Sequence, residues 1–488
     1  MVSPNPHYNP IFCWNNEWIK SYESPWGIIE KFKYANSVRF ADLQRYFGTK
    51  AIKGLKQSTS SKKYCELISL GGLDNTIVKS AFGFDLKELN QNNLKTMTKA
   101  FSSTPNEYVR ERLTWCPVCI KSGYHSILHQ FKLIHKCPFH NVTLDFQCKE
   151  CNQDYPYSLN DSFFSEPFQC RCGAKLISEY EVNYFSMWSS FKPELTCHIV
   201  QKWLSYYEQD IKEEMIFFRE TDIEKYPDAL EHIVSALFPD HIPTNKLIHS
   251  VVCSSSNIKK HGNYLDQYNK ILDSSALKYS RFMLKMNEAI YSSTVGTFNS
   301  ITRQIKSKVL CTHRKCIKRT KSGDLSCPYA FAYVHWRKFI EDFEVSWYVE
   351  NRNFVAKKPQ LEKVIWTISR TDSSAIDDVL DQIERKNKGG IFNSLTTTGW
   401  IVNKVIAQLL LNHFYNWLQY ATKNVEKREV LVMRNKYHDL PFFFIKIPEG
   451  EQGVLEFHIW NKPKPHTSAI LSKLNCPNKN RKSFINVV

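Results

Sequence analysis

Cysteine and histidine side chains arrive in four close pairs between residues 116 and 172, and no other feature limits the fold of this chain as tightly. Cys116-x2-Cys119 and Cys137-x2-His140 flank 17 residues; seven residues later comes Cys148-x2-Cys151, then 18 residues, then Cys170-x-Cys172. A tetrahedral zinc ion takes four soft or borderline ligands, and a gap of one or two residues lets both side chains of one turn converge on a single ion. The spacing therefore groups the residues into two complete sets. One is Cys116, Cys119, Cys137 and His140; the other is Cys148, Cys151, Cys170 and Cys172.

Metal is favoured over disulfides by the compartment the sequence implies. The start, "MVSPNPHYNPIFCWNNEW", has no basic leader followed by an apolar run. The longest apolar stretch, "WIVNKVIAQLLLNHFYNWL", is interrupted by Asn, Lys, Gln and His and does not read as a membrane span. The expectation is a cytoplasmic protein with reduced thiols, and an odd total of 15 cysteines agrees. Four ligands per set leave no open coordination position. The sites are expected to be structural and to hold a small fold that lacks a core of its own.

A less regular cluster follows at Cys311, His313, Cys316 and Cys327, with His335 further on. Its ligand number suits a third zinc ion, but the spacing equally fits a surface loop with scattered cysteines. Cys311, His313 and Cys316 lie in "RQIKSKVLCTHRKCIKRTK", residues 303 to 321, which holds eight Lys or Arg and no acid. Across the chain, 65 Lys and Arg face 48 Asp and Glu, a formal charge of +17. Such a balance favours a polyanionic partner, with double-stranded DNA foremost. Arg303, Lys306, Lys308, Arg314, Lys315, Lys318, Arg319 and Lys321 are the candidate phosphate contacts, on a segment that reads as a DNA-facing loop.

The remaining elements read as mostly helical. "SPWGIIEKFKYANSVRFADLQRYFG" contains two short helices, the first capped by Ser24 with Pro25 at its first position, the second carrying Phe40, Leu43 and Phe47. Their tight connection is compatible with a helix-turn-helix. Residues 50–63 read as a loop, 195–236 as helical with an acidic face over 208–231, 253–263 as a loop and 264–295 as helix. Ile376, Val379, Leu380 and Ile383 mark one helical face, and residues 400–419 form an apolar helix. "PFFFIKIPEGEQGVLEFHIW" reads as a hairpin, so that helix, helix and hairpin could build a winged helix ahead of a basic tail.

One stretch resembles a known family. "ERLTWCPVCIKSGYHSILHQFKLIHKCPFHNVTLDFQCKEC" is similar to the core of the TniQ family, through its Cys-Pro-x-Cys, Gly-Tyr, His-Gln and Cys-Pro-x-His elements and the Leu before a new Cys-x2-Cys. "ESPWGIIEKFKYAN" looks like the family's amino-terminal signature, so the likeness covers roughly residues 20–180. The family commonly has Gly after the ligand histidine where this chain has Asn141, which also tolerates a left-handed backbone.

The resemblance implies a non-catalytic subunit of a bacterial cut-and-paste transposon. Such a subunit marks attachment-site DNA on the nucleoid and recruits an AAA+ ATPase regulator, which brings the transposase. Shorter family members instead link an RNA-guided CRISPR effector complex to the same machinery. The expected fold is predominantly α-helical and multidomain, with tandem zinc-ribbon or zinc-finger modules and helix-turn-helix or winged-helix-like elements. Its segments are a helical domain over 1–110, the zinc module over 111–180 and a helical domain over 181–300. A basic Cys-rich segment over 301–340 and a DNA-binding domain over 341–488 follow. A helix near the amino terminus or within 372–420 is expected to enter the major groove, and the acidic 208–231 face to meet the ATPase. Two competing readings are a metal-dependent nuclease built on His125, His129 and His135 and a zinc-ribbon transcription factor.

Overall fold

A computed structural model of the chain describes residues 12–53, 65–101, 105–177, 183–206, 214–217, 228–238, 248–254, 279–321, 327–341, 395–424, 442–447 and 454–460. Helix is the prevailing element among them. The chain divides into two compact units, Met1–Ile211 with Ile223–Thr244, and Lys212–Asp222 with Asn245–Val488.

The first unit is built around α1 (Pro25–Asn36). Ser24 stands in extended backbone and its hydroxyl accepts from the Gly27 N–H, while Pro25 fills a position whose N–H would have no helical partner. Ser37, in the left-handed region at φ 51°, ends the helix where Asn36-Ser37 breaks the sequence pattern. Every residue from Pro25 to Lys33 is buried, so α1 is interior. A groove-reading helix must present a free face, and α1 offers none over that stretch. α2 (Phe40–Phe47) keeps Phe40, Leu43 and Phe47 inside and leaves Arg45 and Tyr46 outside. Both carboxylate oxygens of Asp161 accept from the backbone N–H groups of Phe40 and Ala41, fixing the start of α2 from far along the chain. The segment expected to be a loop from residue 50 opens with a single turn, α3 (Lys50–Lys53).

α4 (Asn75–Phe82) and α5 (Leu86–Thr98) are capped by Asp74 and Asp85. Aromatic rings fill the space these helices enclose. Phe32 stacks on Phe82 at 4.7 Å and meets Phe47 edge-on at 5.5 Å. α6 (Tyr184–Ser190) lays Trp188 against Trp18 and Tyr34. α7 (His198–Ser205) inserts Trp203 beside Phe101, and its indole N–H donates to the Met97 carbonyl. α8 (Ala229–Leu237) closes the unit.

Residues 105–177 contain little regular structure: three single-turn 3-10 helices and a short antiparallel pair, β1 (Phe164–Glu166) with β2 (Gln169–Cys170). Isolated backbone bridges, such as Trp115 with Asp145 and Val109 with Phe131, and buried side chains organise the rest. Arg110 is buried, and its guanidinium donates to the carbonyls of His129, Phe131, Lys132 and Ile134 at 2.9, 2.7, 3.2 and 2.9 Å.

In the second unit, α9 (Tyr279–Lys321), α10 (Pro328–Glu341) and α11 (Leu395–Asn424) pack on one another. Trp336 meets Phe414 at 5.5 Å and donates to the Leu410 carbonyl. The basic segment expected to be a loop is the carboxy-terminal half of α9. Ile305, Val309, His313, Cys316 and Ile317 are buried at helical spacing, and that stripe holds the segment helical despite its charge.

The 195–236 segment is not wholly helical either: β3 (Glu214–Phe217) interrupts it, paired with β5 (Phe442–Ile447). β4 (Ile248–Ser254) takes in the start of the expected 253–263 loop. The hairpin of β5 and β6 (Val454–Trp460) forms as expected, yet it is no free wing. β3 and β4 occupy its outer edges, giving an antiparallel sheet of order β3-β5-β6-β4. The helix expected at Ile376–Ile383, the basic tail and most of the acidic 208–231 stretch lie outside the described residues.

Substituting Arg110 by Leu leaves several carbonyls without donors in a buried loop. Unfolding free energy should fall by about 3 kcal/mol or more, read by urea denaturation. A loss below about 1 kcal/mol would mean that the loops hold without it.

Candidate metal centres

Each ligand pair sits on a tight turn whose backbone the sequence dictates. In the turn that delivers Cys137 and His140, the N–H of Asn141 donates to the Cys137 carbonyl at 2.8 Å, and Asn141 adopts φ 54°. The next turn repeats the device: Asn152 follows Cys151 at φ 55° and donates to the Cys148 carbonyl at 2.9 Å. Gly173 follows Cys172 at φ 96°. Residues tolerant of the left-handed region thus close all three turns, and Asn serves twice where Gly is commonest. Gly123 ends the turn of Cys116 and Cys119 at φ 65°, with a Cβ there falling 2.6 Å from the Trp188 indole nitrogen.

The turns bring both expected sets together. In the first, Cys119 Sγ lies 3.6 Å from Cys137 Sγ, and His140 Nδ1 lies 3.7, 3.2 and 3.6 Å from the sulfurs of Cys116, Cys119 and Cys137. In the second, Cys148 and Cys172 are 3.7 Å apart and Cys151 and Cys170 are 3.6 Å apart. Four sulfurs about 2.3 Å from one ion would be separated by about 3.8 Å. The donor sets and their edges therefore fit a tetrahedral ion and are consistent with zinc. The three cysteines of the first set are buried and His140 is exposed; in the second, Cys148 and Cys170 are buried.

Crowding perturbs the thiols in opposite directions. Hydrogen bonding from Cys119 and Cys137 pulls Cys116 down, while Cys119 is pushed far up by Cys116 and Cys137. Sulfurs this close resist ionising together unless a cation sits among them. Burial opposes ionisation of Cys148, but the backbone N–H groups of Cys151 and Glu150 prevail and bring it to about 6.

The histidines of the nuclease reading are engaged elsewhere. His129 is buried; its Nδ1 accepts from the Ser126 N–H, which leaves Nε2–H to face Cys137 Sγ at 3.5 Å. A donor to a ligand sulfur orients it and moderates its charge. His125 Nε2 donates to the Thr114 carbonyl at 3.0 Å, so its Nδ1 receives the Ser24 hydroxyl at 2.6 Å. Ser24 is the cap of α1, and this one side chain links the helix start to the ligand module. Gln130 also donates to Thr114, and the Tyr124 hydroxyl donates to the Ser21 carbonyl. The His-Gln and Gly-Tyr elements of the sequence thus work as buried connectors. His135 is half-buried. Arg110 and Ser24 belong to the same framework; the sequence offered the cap of Ser24 but no sign of the Arg110 contacts.

The third cluster changes membership. His313, Cys316 and Cys327 come together, whereas Cys311 points to the outside of α9. His335 stacks between Phe331 and Trp417 instead. All three clusters could hold metal ions. Of the expected phosphate contacts, Arg303, Lys308, Arg314, Lys315 and Lys318 are exposed on α9, while Lys306 is buried and is withdrawn from that role. Arg319 and Lys321 lie on the same helix. No helix among the described residues is long and apolar enough to cross a membrane. Compared with protein-family models and with curated proteins, the chain matches none.

Removing the His129 donor by substitution with Ala should weaken zinc binding about 10- to 100-fold, measured by competition with a chromophoric chelator. Unchanged affinity would refute the hydrogen bond to Cys137. A second expectation concerns acid. Burial lowers His125 to about 4, so the folded state disfavours its proton and the unfolded state accepts it. Stability from this group is present above about pH 6.5 and is lost as pH falls toward 4, by roughly 3 kcal/mol. His125→Gln should flatten the unfolding free energy across that window; an identical slope would count against it.

Proposed function

We propose that the chain is a non-catalytic target-selection subunit of a cut-and-paste transposon, of the TniQ type. It binds attachment-site DNA and recruits an AAA+ ATPase regulator that delivers the transposase. The observation that carries this reading is the ligand module itself. Two complete four-ligand sets come together, the ligands from Cys116 to Cys151 stand in the stretch that resembles the family's motif, and other residues of that stretch are spent on holding the module to α1. Zinc in such sites would act as a scaffold, because no coordination position is left for substrate. The burial and hydrogen bonding of His125 and His129 argue against their use as general bases, and so against the nuclease reading.

Support for a nucleic-acid partner comes from charge. The net formal charge is +17, and the outward Arg303, Lys308, Arg314, Lys315 and Lys318 form a cationic strip on α9. Cations of this kind neutralise phosphates and release counterions, which makes affinity fall steeply with salt. Sequence reading would come from a different element, with the strip supplying position and affinity.

The test is duplex binding across a salt series with the purified chain. We expect log affinity to fall linearly with log salt, and Lys308→Gln with Arg314→Gln and Lys315→Gln to reduce the slope by about 0.9 per lost phosphate contact. A flat response would remove the DNA role. Binding with no preference for an attachment-site sequence would favour the effector-complex adaptor.

A further inference from the structure

The long helix α9 bends where its sequence gives no reason to bend. His313 leaves helical geometry at φ −123°, ψ 17°, yet no Pro or Gly lies within nine residues of it. Kinks normally trace to those residues or to an inserted side chain or water. Here the departure coincides with convergence of three metal-binding side chains. His313, Cys316 and Cys327 are buried at 0, 7 and 1% exposure, and their ligand atoms all lie within 4.8 Å of one another. His313 Nδ1 stands 3.3 Å from Cys327 Sγ, the separation expected of two ligands on one tetrahedral ion. The Tyr329 ring lies 5.0 Å from the imidazole.

We propose that His313, Cys316 and Cys327 hold a zinc ion in the second unit, separate from the two four-ligand sets of the first. Two thiolates and one imidazole favour a soft or borderline cation over calcium or magnesium. Its ligands come from the last turns of α9 and from the residue that precedes α10, whose carbonyl accepts the Phe331 N–H. The ion therefore pins the start of α10 to the bent end of α9 and fixes the direction in which Arg314, Lys315 and Lys318 leave the bundle. Cys311, two residues before His313, is on the outer face and takes no part. This assignment does not depend on the proposed DNA role.

The test is zinc content per chain, by mass spectrometry of metals in the full-length protein purified under reducing conditions. We expect three ions in the wild type, two in the Cys316→Ser, Cys327→Ser double variant, and three in Cys311→Ser. Two ions in the wild type would overturn the proposal, as would loss of one ion in Cys311→Ser. Should the double variant not fold, X-ray absorption of the wild type decides the matter. Three sites with the ligands named here give a mean of about three sulfurs per ion, and the two four-ligand sets alone give about three and a half.

Discussion

The ligand module of the first unit depends on side chains that stand in for extended regular secondary structure. Residues 105–177 have a two-strand ribbon of a few residues, three 3-10 turns and isolated backbone bridges such as Trp115 with Asp145, with no long helix or wide sheet among them. What defines it is the convergence of four Cys or His side chains at each of two points, and a metal ion held there would leave each turn one workable backbone. A metal ion held in such a set would contribute on the order of 10 kcal/mol to folding, a scale that a segment of this size could not reach by burial alone. The Arg110 fork completes the frame by gathering four loop carbonyls that no strand would satisfy.

The module and the helical part of the unit are joined through polar contacts in the interior. Ser24 serves two structures at once, accepting from the first turn of α1 and donating to His125. Around it, Lys31 pairs with Glu23 at 2.7 Å and Lys33 with Glu30 at 2.8 Å, all four buried. Glu30 also accepts the Phe168 N–H from the β1–β2 turn, and Lys31 donates to the Trp18 carbonyl. Desolvation raises Glu23 and lowers Lys31, and their mutual attraction opposes both shifts. Buried pairs of this kind add little net stability, since desolvation offsets attraction, but each alternative register strands a charge. Their effect is to permit one seating of α1 against the ligand module.

In the second unit a cationic surface and an apolar stripe share one helix. α9 buries Ile305, Val309 and Ile317 while Arg303, Lys308, Arg314 and Lys315 face outward. Lys306 shows that charge alone does not place a residue at the surface: it lies on the buried stripe and is almost fully covered. The sheet has a similar mixture, with Lys446 and His458 flanking Glu456 and the His458 ring stacked on Phe444 at 4.5 Å.

The sequence by itself determined the two four-ligand sets, the ends of α1 and α2, the α11 helix and the β5–β6 hairpin. Each rests on contacts between residues near one another in the chain: ligand spacing within a turn, a cap next to its helix, two strands adjacent in sequence. Asn141 could be assigned a left-handed backbone for the same reason, since that preference belongs to the residue type. What only the tertiary structure decided involves partners far apart. Arg110 finds its carbonyls some 20 residues on, β3 pairs with a strand more than two hundred residues later, and Cys327 reaches His313 across the end of a helix. The charge-rich 303–321 segment concealed its apolar stripe because dense Lys and Arg mark an exposed surface, and only packing against α10 and α11 reveals which face is covered. Local geometry is written in neighbouring residues; long-range pairing is selected by burial, which no short stretch encodes.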